Sequence, residues 1–141
     1  MSFVLVQGHR IEVEEIAGTR AKAPSLIFLH EGLGSVALWR DFPAKLAAKT
    51  GAATVVYSRY GYGKSDAIAA PHAPDYMHKE ALEALPELRQ KLGLENPILI
   101  GHSDGASIAL LHAGSGRWPV RALILEAPHV FDERLWNGLV G

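Results

Sequence analysis

Four short runs of apolar residues constrain the fold more than any other feature of this sequence. Polar and apolar residues do not alternate within them, so both faces of each predicted strand are expected to be buried, as in a parallel sheet. Segments with helical spacing separate the runs, and this order indicates an α/β fold with right-handed crossovers. The runs are residues 26–29, 53–57, 98–100 and 122–125.

The spacing of apolar residues between these runs predicts three helices. The first follows Asp41, a residue type that favours helix N-caps, and stops at a glycine. The second covers residues 77–92, and Pro86 is expected to kink or split it because proline removes a backbone donor. The third, residues 106–113, is apolar nearly all round and is expected to be buried.

The first 16 residues indicate a different structure. Residues 4–6 and 11–13 flank Gln7-Gly8-His9, which predicts a hairpin turn. Alternation in the second arm predicts an antiparallel edge strand with one solvent-exposed face. The expected architecture is therefore an N-terminal antiparallel hairpin joined to a mainly parallel sheet of about six strands.

Composition narrows the class of protein. The 141 residues are 48% apolar and suit one compact domain over 1–141, which excludes a disordered chain. Fourteen Lys+Arg balance 15 Asp+Glu, so no basic surface for nucleic acid is expected. The chain has no cysteine and its seven histidines are scattered, so we expect no disulfide, metal or cofactor. No signal peptide or membrane-spanning run is visible, so we expect a cytoplasmic protein that does not contact membranes.

The most informative motif is Gly101-His102-Ser103-Asp104-Gly105, a G-x-S-x-G sequence between an apolar strand and a buried helix. A serine on such a sharp turn projects its hydroxyl above the sheet, and the glycines leave room for the turn. The N-terminus of the following helix directs amide groups towards a developing oxyanion. The pattern predicts a nucleophilic serine.

A glycine-rich loop, His30-Glu31-Gly32-Leu33-Gly34-Ser35, directly follows an earlier strand. Acyl transfer needs a second oxyanion donor beside the amide that follows the serine, and a loop next to the nucleophile strand can supply it. Gly32 is the predicted donor, because glycine allows close approach of backbone to substrate.

These motifs resemble the N-terminal half of the α/β-hydrolase fold family over roughly residues 10–130. Residues 30–35 are similar to the family's histidine-glycine oxyanion loop, with Glu31 where glycine is usual. Residues 58–66 resemble its arginine-glycine-x-glycine-x-serine loop, with Ser58 where aspartate is common. The serine motif matches fully.

The resemblance implies roles for particular residues. Ser103 would be the nucleophile, the amides of Gly32 and Asp104 would form the oxyanion hole, and His30 would hold its loop by hydrogen bonds. The implied substrate is a small molecule with a carboxylic ester or a related acyl or carbon–carbon bond.

The family places its acid and its histidine after later strands, so this chain is expected to lack their usual positions. A serine without a base is a poor nucleophile. His129 and Glu126 follow the last predicted strand, but a loop histidine and a solvent-facing carboxylate are the favoured interpretations. His102 adjoins Ser103, and its side chain is expected to point away from the serine.

The last predicted strand, within residues 120–125, is expected to form a bare apolar edge that invites pairing with another chain. The tail has near-helical apolar spacing and would also seek burial, and residues 130–141 could begin a cap. We therefore predict a homo-oligomer formed through this region.

Two other interpretations stay open. Residues 32–37 fit the G-x-G-x-x-A pattern of dinucleotide-binding domains, but the next strand ends in Tyr57-Ser58-Arg59, with no acid for the ribose. A non-catalytic binding module or fragment with a hydrolase-like core would account for the missing acid and base.

Overall fold

A single six-stranded sheet organises residues 2–127, the part of the chain that this computed structural model describes. Its strands lie in the order β1-β2-β4-β3-β5-β6. Pairing is antiparallel for β1–β2 and β2–β4 and parallel for the rest. The expected mainly parallel sheet with an N-terminal antiparallel hairpin is thus confirmed. The strands are β1 (Ser2–Val6), β2 (His9–Ile16), β3 (Leu26–Leu29), β4 (Thr54–Tyr57), β5 (Ile98–His102) and β6 (Ala122–Glu126).

Helical segments connect the parallel strands, and the three predicted helical regions are confirmed. A short 3₁₀ turn, Ala37–Trp39, precedes the first helix, and a π-helical turn, Glu80–Ala84, joins the second to the third. Both the first and the third helix end at a glycine with positive φ, Gly51 at 72° and Gly93 at 68°. The helices are α1 (Phe42–Thr50), α2 (Tyr76–Lys79), α3 (Leu85–Leu92) and α4 (Asp104–Gly114).

The break at Pro86 has a local cause. A proline ring clashes with the carbonyl four residues earlier and provides no N–H, so it cannot continue a regular α-helix. Here Pro86 lies in the first turn of α3, directly after the π-helical turn. The predicted long helix is therefore split into α2, the π-helical turn and α3.

The N-terminal hairpin turns at Gln7 and Gly8, whose φ angles of 53° and 77° are typical of a two-residue turn with matching twist. The prediction that its second arm is an edge strand was wrong. Strand β2 pairs with β4 as well as with β1, so β1 forms the edge. Glu12 of β2 is buried, because β2 lies inside the sheet and the Glu12 carboxylate accepts from Ser58 and Lys64. The alternation in the sequence does not reveal this second partner strand.

Both faces of the central strands are buried by helices. In β3, Leu26 and Phe28 pack with Leu46 of α1, whereas Ile27 and Leu29 pack on the other face with residues of α3 and α4. Strand β6 differs from the prediction of two buried faces. Its residues alternate between exposed and half-buried: Leu123 and Leu125 pack against the core, whereas Ile124 lies on the other face and is 54% exposed.

None of the helices described within residues 2–127 is long and apolar enough to cross a membrane.

Candidate active site

The serine motif forms a sharp turn between β5 and α4. Ser103 has φ 56° and ψ −115°, a conformation that costs a non-glycine residue about 1–3 kcal/mol. Its N–H donates to the carbonyl oxygen of Glu126 at 2.8 Å, and its own carbonyl oxygen accepts from the Ser107 N–H at 3.1 Å. The turn is therefore held by the neighbouring strand and by the first turn of α4.

Steric contact explains both glycines of the motif. A β-carbon at Gly101 would lie 2.6 Å from the carbonyl oxygen of Gly105. A β-carbon at Gly105 would overlap the carbonyl group of Leu29 at the end of β3. Only glycine lets the helix start so close to two strands, as the sequence pattern predicts.

Gly32 and Asp104, the two residues predicted to supply the oxyanion-hole amides, lie close to each other. A β-carbon at Gly32 would be 2.6 Å from the Asp104 carboxylate, so the glycine-rich loop packs against the residue that follows Ser103. Tyr76 of α2 donates its hydroxyl to this carboxylate at 2.6 Å. Burial, together with that hydrogen bond, raises the pKa of Tyr76 above its usual range, so the phenol stays protonated and remains a donor.

His30 and Arg59 lock the glycine-rich loop to the loop after β4. The His30 Nε2 atom accepts from the Arg59 backbone N–H at 3.0 Å, and Nδ1 lies 2.6 Å from the Glu31 carbonyl oxygen. The Arg59 guanidinium donates to the carbonyl oxygens of His30 and Glu31 at 2.5 and 3.3 Å. Burial and the nearby Arg59 charge lower the pKa of His30 to about 3, so this imidazole is neutral near pH 7. His30 makes the loop-holding bonds that the family resemblance implies.

Ser58, where an aspartate is common in similar loops, belongs to a second buried network with Glu12. The Ser58 hydroxyl donates to the Glu12 carboxylate at 2.7 Å and accepts from the Val36 N–H at 2.9 Å. The Lys64 N–H also donates to Glu12, at 3.2 Å. Glu12 therefore supplies the carboxylate from β2, a strand that is remote in sequence.

Of the remaining acid and base candidates, His102 and Glu126 are register partners on the adjacent parallel strands β5 and β6. His102 Nδ1 is 3.7 Å from the Glu31 carboxylate, and both side chains are partly exposed. The Glu126 side chain is exposed at the end of β6, as expected. His129 and the predicted tail interactions of residues 130–141 lie outside the described residues.

Sequence reasoning missed Arg59, Tyr76 and Glu12 as parts of this site. Each reaches the site through a contact between elements that are 28 or more residues apart, and no local pattern marks such contacts. The sequence offered a signal for Arg59 alone: it directly follows the apolar run of β4, and a charged residue next to a buried strand requires partners.

The geometry also bears on the dinucleotide pattern of residues 32–37. In that motif a helix begins on the last glycine, where its N-terminus receives the pyrophosphate. Here the loop leads into a 3₁₀ turn, and α1 begins only at Phe42. The loop is held against the serine turn instead.

Comparison with known proteins agrees with this arrangement. A family model described as alpha/beta hydrolase fold matches residues 24–139. A proline iminopeptidase of Lactobacillus helveticus is 32% identical over 97 residues, which cover 69% of this chain and 33% of the relative. The sn-1-specific diacylglycerol lipase ABHD11 of Mus musculus is 30% identical over 93 residues, covering 66% and 29%. This chain thus spans about a third of the length of these curated relatives.

Solved structures share the fold. An alpha/beta hydrolase fold protein from Burkholderia ambifaria superposes with a TM-score of 0.77 at 22% identity, covering 92% of this chain and 44% of that one. The structure of VrEH2, 26% identical, gives a TM-score of 0.72 and covers 87% and 36%.

Proposed function

Because the chain belongs to the alpha/beta hydrolase fold family, we propose that it is a serine hydrolase in which Ser103 attacks a carboxylic ester or a related acyl or carbon–carbon bond. The observation that carries the proposal is the positive φ of Ser103 between two glycines that sterically admit no side chain. Strain of this kind is typical of functional sites. The names of the matched relatives include an iminopeptidase and a lipase, both hydrolases.

The proposed reaction begins with attack of the Ser103 hydroxyl on the carbonyl carbon of the substrate. The resulting oxyanion accepts hydrogen bonds from the backbone amides of Gly32 and Asp104, and the N-terminus of α4 adds a favourable dipole. Collapse of this intermediate expels the leaving group, and water then hydrolyses the acyl-enzyme.

The Ser103 proton requires a base. His129 is the first residue to test, because it follows β6, whose last residue accepts the Ser103 N–H. If His129 is the base, then His129→Ala lowers the rate nearly as much as Ser103→Ala, because members of a catalytic unit act together.

Turnover of p-nitrophenyl acetate tests the proposal. We expect Ser103→Ala to lower the rate of nitrophenolate release by about 100-fold or more, since the nucleophile is lost. Ser25→Ala is the matched control, because Ser25 precedes β3 at the opposite end of the sheet. Equal rates for the wild-type protein and Ser103→Ala would contradict the proposal.

A non-catalytic binding module is the second candidate function. It is favoured by the Asp104 carboxylate, which lies against Gly32, because a negative charge there opposes an oxyanion. In that case wild-type, Ser103→Ala and buffer blanks release nitrophenolate at the same rate.

A further inference from the structure

The Tyr76 hydroxyl contacts the side chain of the residue that follows Ser103. It donates to Oδ2 of the Asp104 carboxylate at 2.6 Å. The same oxygen would lie 2.6 Å from a β-carbon at Gly32. The phenol and the glycine-rich loop therefore meet at one carboxylate oxygen, which belongs to one of the two residues whose amides form the proposed oxyanion hole.

This oxygen is close to the atoms that would receive the oxyanion. A β-carbon lies about 2.5 Å from the backbone nitrogen of its own residue, so Oδ2 of Asp104 is within about 5 Å of the Gly32 amide nitrogen. Two negative charges at such a distance repel each other, and they do so more strongly away from bulk water. The Asp104 charge therefore raises the energy of an oxyanion in this hole unless another group screens it.

Stacked rings hold the Tyr76 hydroxyl at this point. The Tyr76 ring stacks on His72 with centroids 4.7 Å apart, and His72 stacks on Tyr62 at 5.6 Å. Tyr62 in turn meets His30 edge-on at 4.9 Å. Because His30 belongs to the glycine-rich loop, a continuous row of rings connects this loop to the donor on the Asp104 carboxylate. Packing of this kind fixes the direction of a hydrogen bond.

Tyr76 is suited to screening the charge. Burial, followed by the hydrogen bond to Asp104, raises the pKa of Tyr76 above the ordinary value of a tyrosine. The phenol therefore keeps its proton near neutral pH and remains a donor to the carboxylate. A hydrogen bond to an ionised acceptor is stronger than one between neutral groups, and it draws negative charge towards the donor.

We propose that Tyr76 is a positioning residue of the hydrolase and acts through Asp104. Its hydroxyl fixes the carboxylate beside Gly32 and screens the negative charge from the oxyanion that forms at the neighbouring amides. The inference rests on the proposed function, because it concerns an oxyanion generated by attack of Ser103. It also gives the Asp104 carboxylate a place in a working oxyanion hole, where the unscreened charge would oppose catalysis.

Hydrolysis of p-nitrophenyl acetate by wild-type protein, Tyr76→Phe, Asp104→Asn and the double variant tests the proposal. Tyr76→Phe keeps the stacked ring and removes only the hydroxyl. We expect kcat and kcat/KM to fall together by about three- to tenfold, with KM within about twofold of wild type, because the oxyanion develops only in the transition state.

Asp104→Asn separates screening of the charge from anchoring of α2. The asparagine oxygen can still accept from the Tyr76 hydroxyl, but the side chain carries no charge. If Tyr76 screens the charge, Tyr76→Phe changes the rate by less than about twofold in the Asp104→Asn background. If the hydroxyl only anchored α2, the full loss would persist in that background.

Tyr60→Phe is the matched control, since it removes a hydroxyl from a ring that stacks on His9, and it should keep the wild-type rate. Unfolding in urea checks that every variant is folded. Full activity of Tyr76→Phe, an equal loss in both backgrounds, or a folded Asp104→Asn protein without turnover would overturn the proposal. An inactive wild-type protein would contradict the proposed function, and with it this inference.

Discussion

At the scale of single residues, the serine turn requires two positions without a side chain as well as the hydrogen bonds that hold it. Gly101 and Gly105 leave room for backbone from the strand and helix that meet there, and Ser103 adopts a positive φ between them. The motif could be recognised from the sequence because its constraint is local. The identity of the obstructing group, the carbonyl of Leu29, could not be, because it comes from another strand.

Gly105→Ala should therefore destabilise the fold by more than about 3 kcal/mol, since its methyl group would overlap the Leu29 carbonyl. The free energy of unfolding in urea measures the effect. Gly114→Ala, at the end of the same helix, has no heavy atom within 4 Å of its new β-carbon. This control should be neutral or more stable by up to about 1 kcal/mol. Equal losses in both variants would contradict the steric explanation.

At the scale of elements, two loops are joined by buried polar side chains that lie far apart in sequence. His30 and Arg59 connect the loops that follow β3 and β4, and Ser58 and Glu12 tie the second loop to β2. The resemblance identified the loops and the holding role of His30. The partner of Ser58 was not predictable, because it depends on β2 lying beside β4, and the sequence predicted an edge strand there.

The lowered pKa of His30 gives a pH dependence with a definite sign. In the unfolded chain His30 binds a proton near pH 6.5, whereas in the folded chain it does so only near pH 3. The free energy of unfolding therefore decreases as pH falls below 6.5, because the unfolded state binds the proton first. Between pH 7 and pH 5 this amounts to about 2 kcal/mol. Burial lowers the pKa of His112 as well, which adds in the same direction.

Unfolding in urea at pH 7 and pH 5 measures this difference. His30→Gln should reduce it by about 2 kcal/mol, because the variant has no titrating group at this site. His78→Gln, on the exposed face of α2, is the control and should leave the difference unchanged. An equal pH dependence in wild-type protein and His30→Gln would disprove the assignment.

At the scale of the whole molecule, four apolar runs predicted the parallel strands and the N-terminal pattern predicted the antiparallel hairpin, because burial on both faces leaves a sequence signature in the central strands. The spatial order of the strands and the contacts between remote elements have no such signature. Tyr57 illustrates this: its run predicts a buried strand, yet its hydroxyl faces Glu80 from the α2–α3 segment, 23 residues later.

The outer edge of β6 is the surface on which we predict self-association. Ile124 is 54% exposed and no described strand pairs beyond β6. Sedimentation at micromolar concentration should show a dimer or a larger species, and Ile124→Lys should shift it towards monomer. Leu33→Lys makes the same chemical change in a loop residue that is 87% exposed, and should leave the assembly intact. A monomeric wild-type protein would contradict this prediction.

Intact mass after reaction with a fluorophosphonate tests most directly whether the serine turn is a working nucleophile. Since such a probe reports the reactivity of a hydroxyl without requiring turnover, it is independent of substrate choice. We predict one adduct per chain on the folded wild-type protein and none on Ser103→Ala. A folded wild-type protein that gains no mass, or an adduct that persists in Ser103→Ala, would contradict the assignment of Ser103 as the nucleophile.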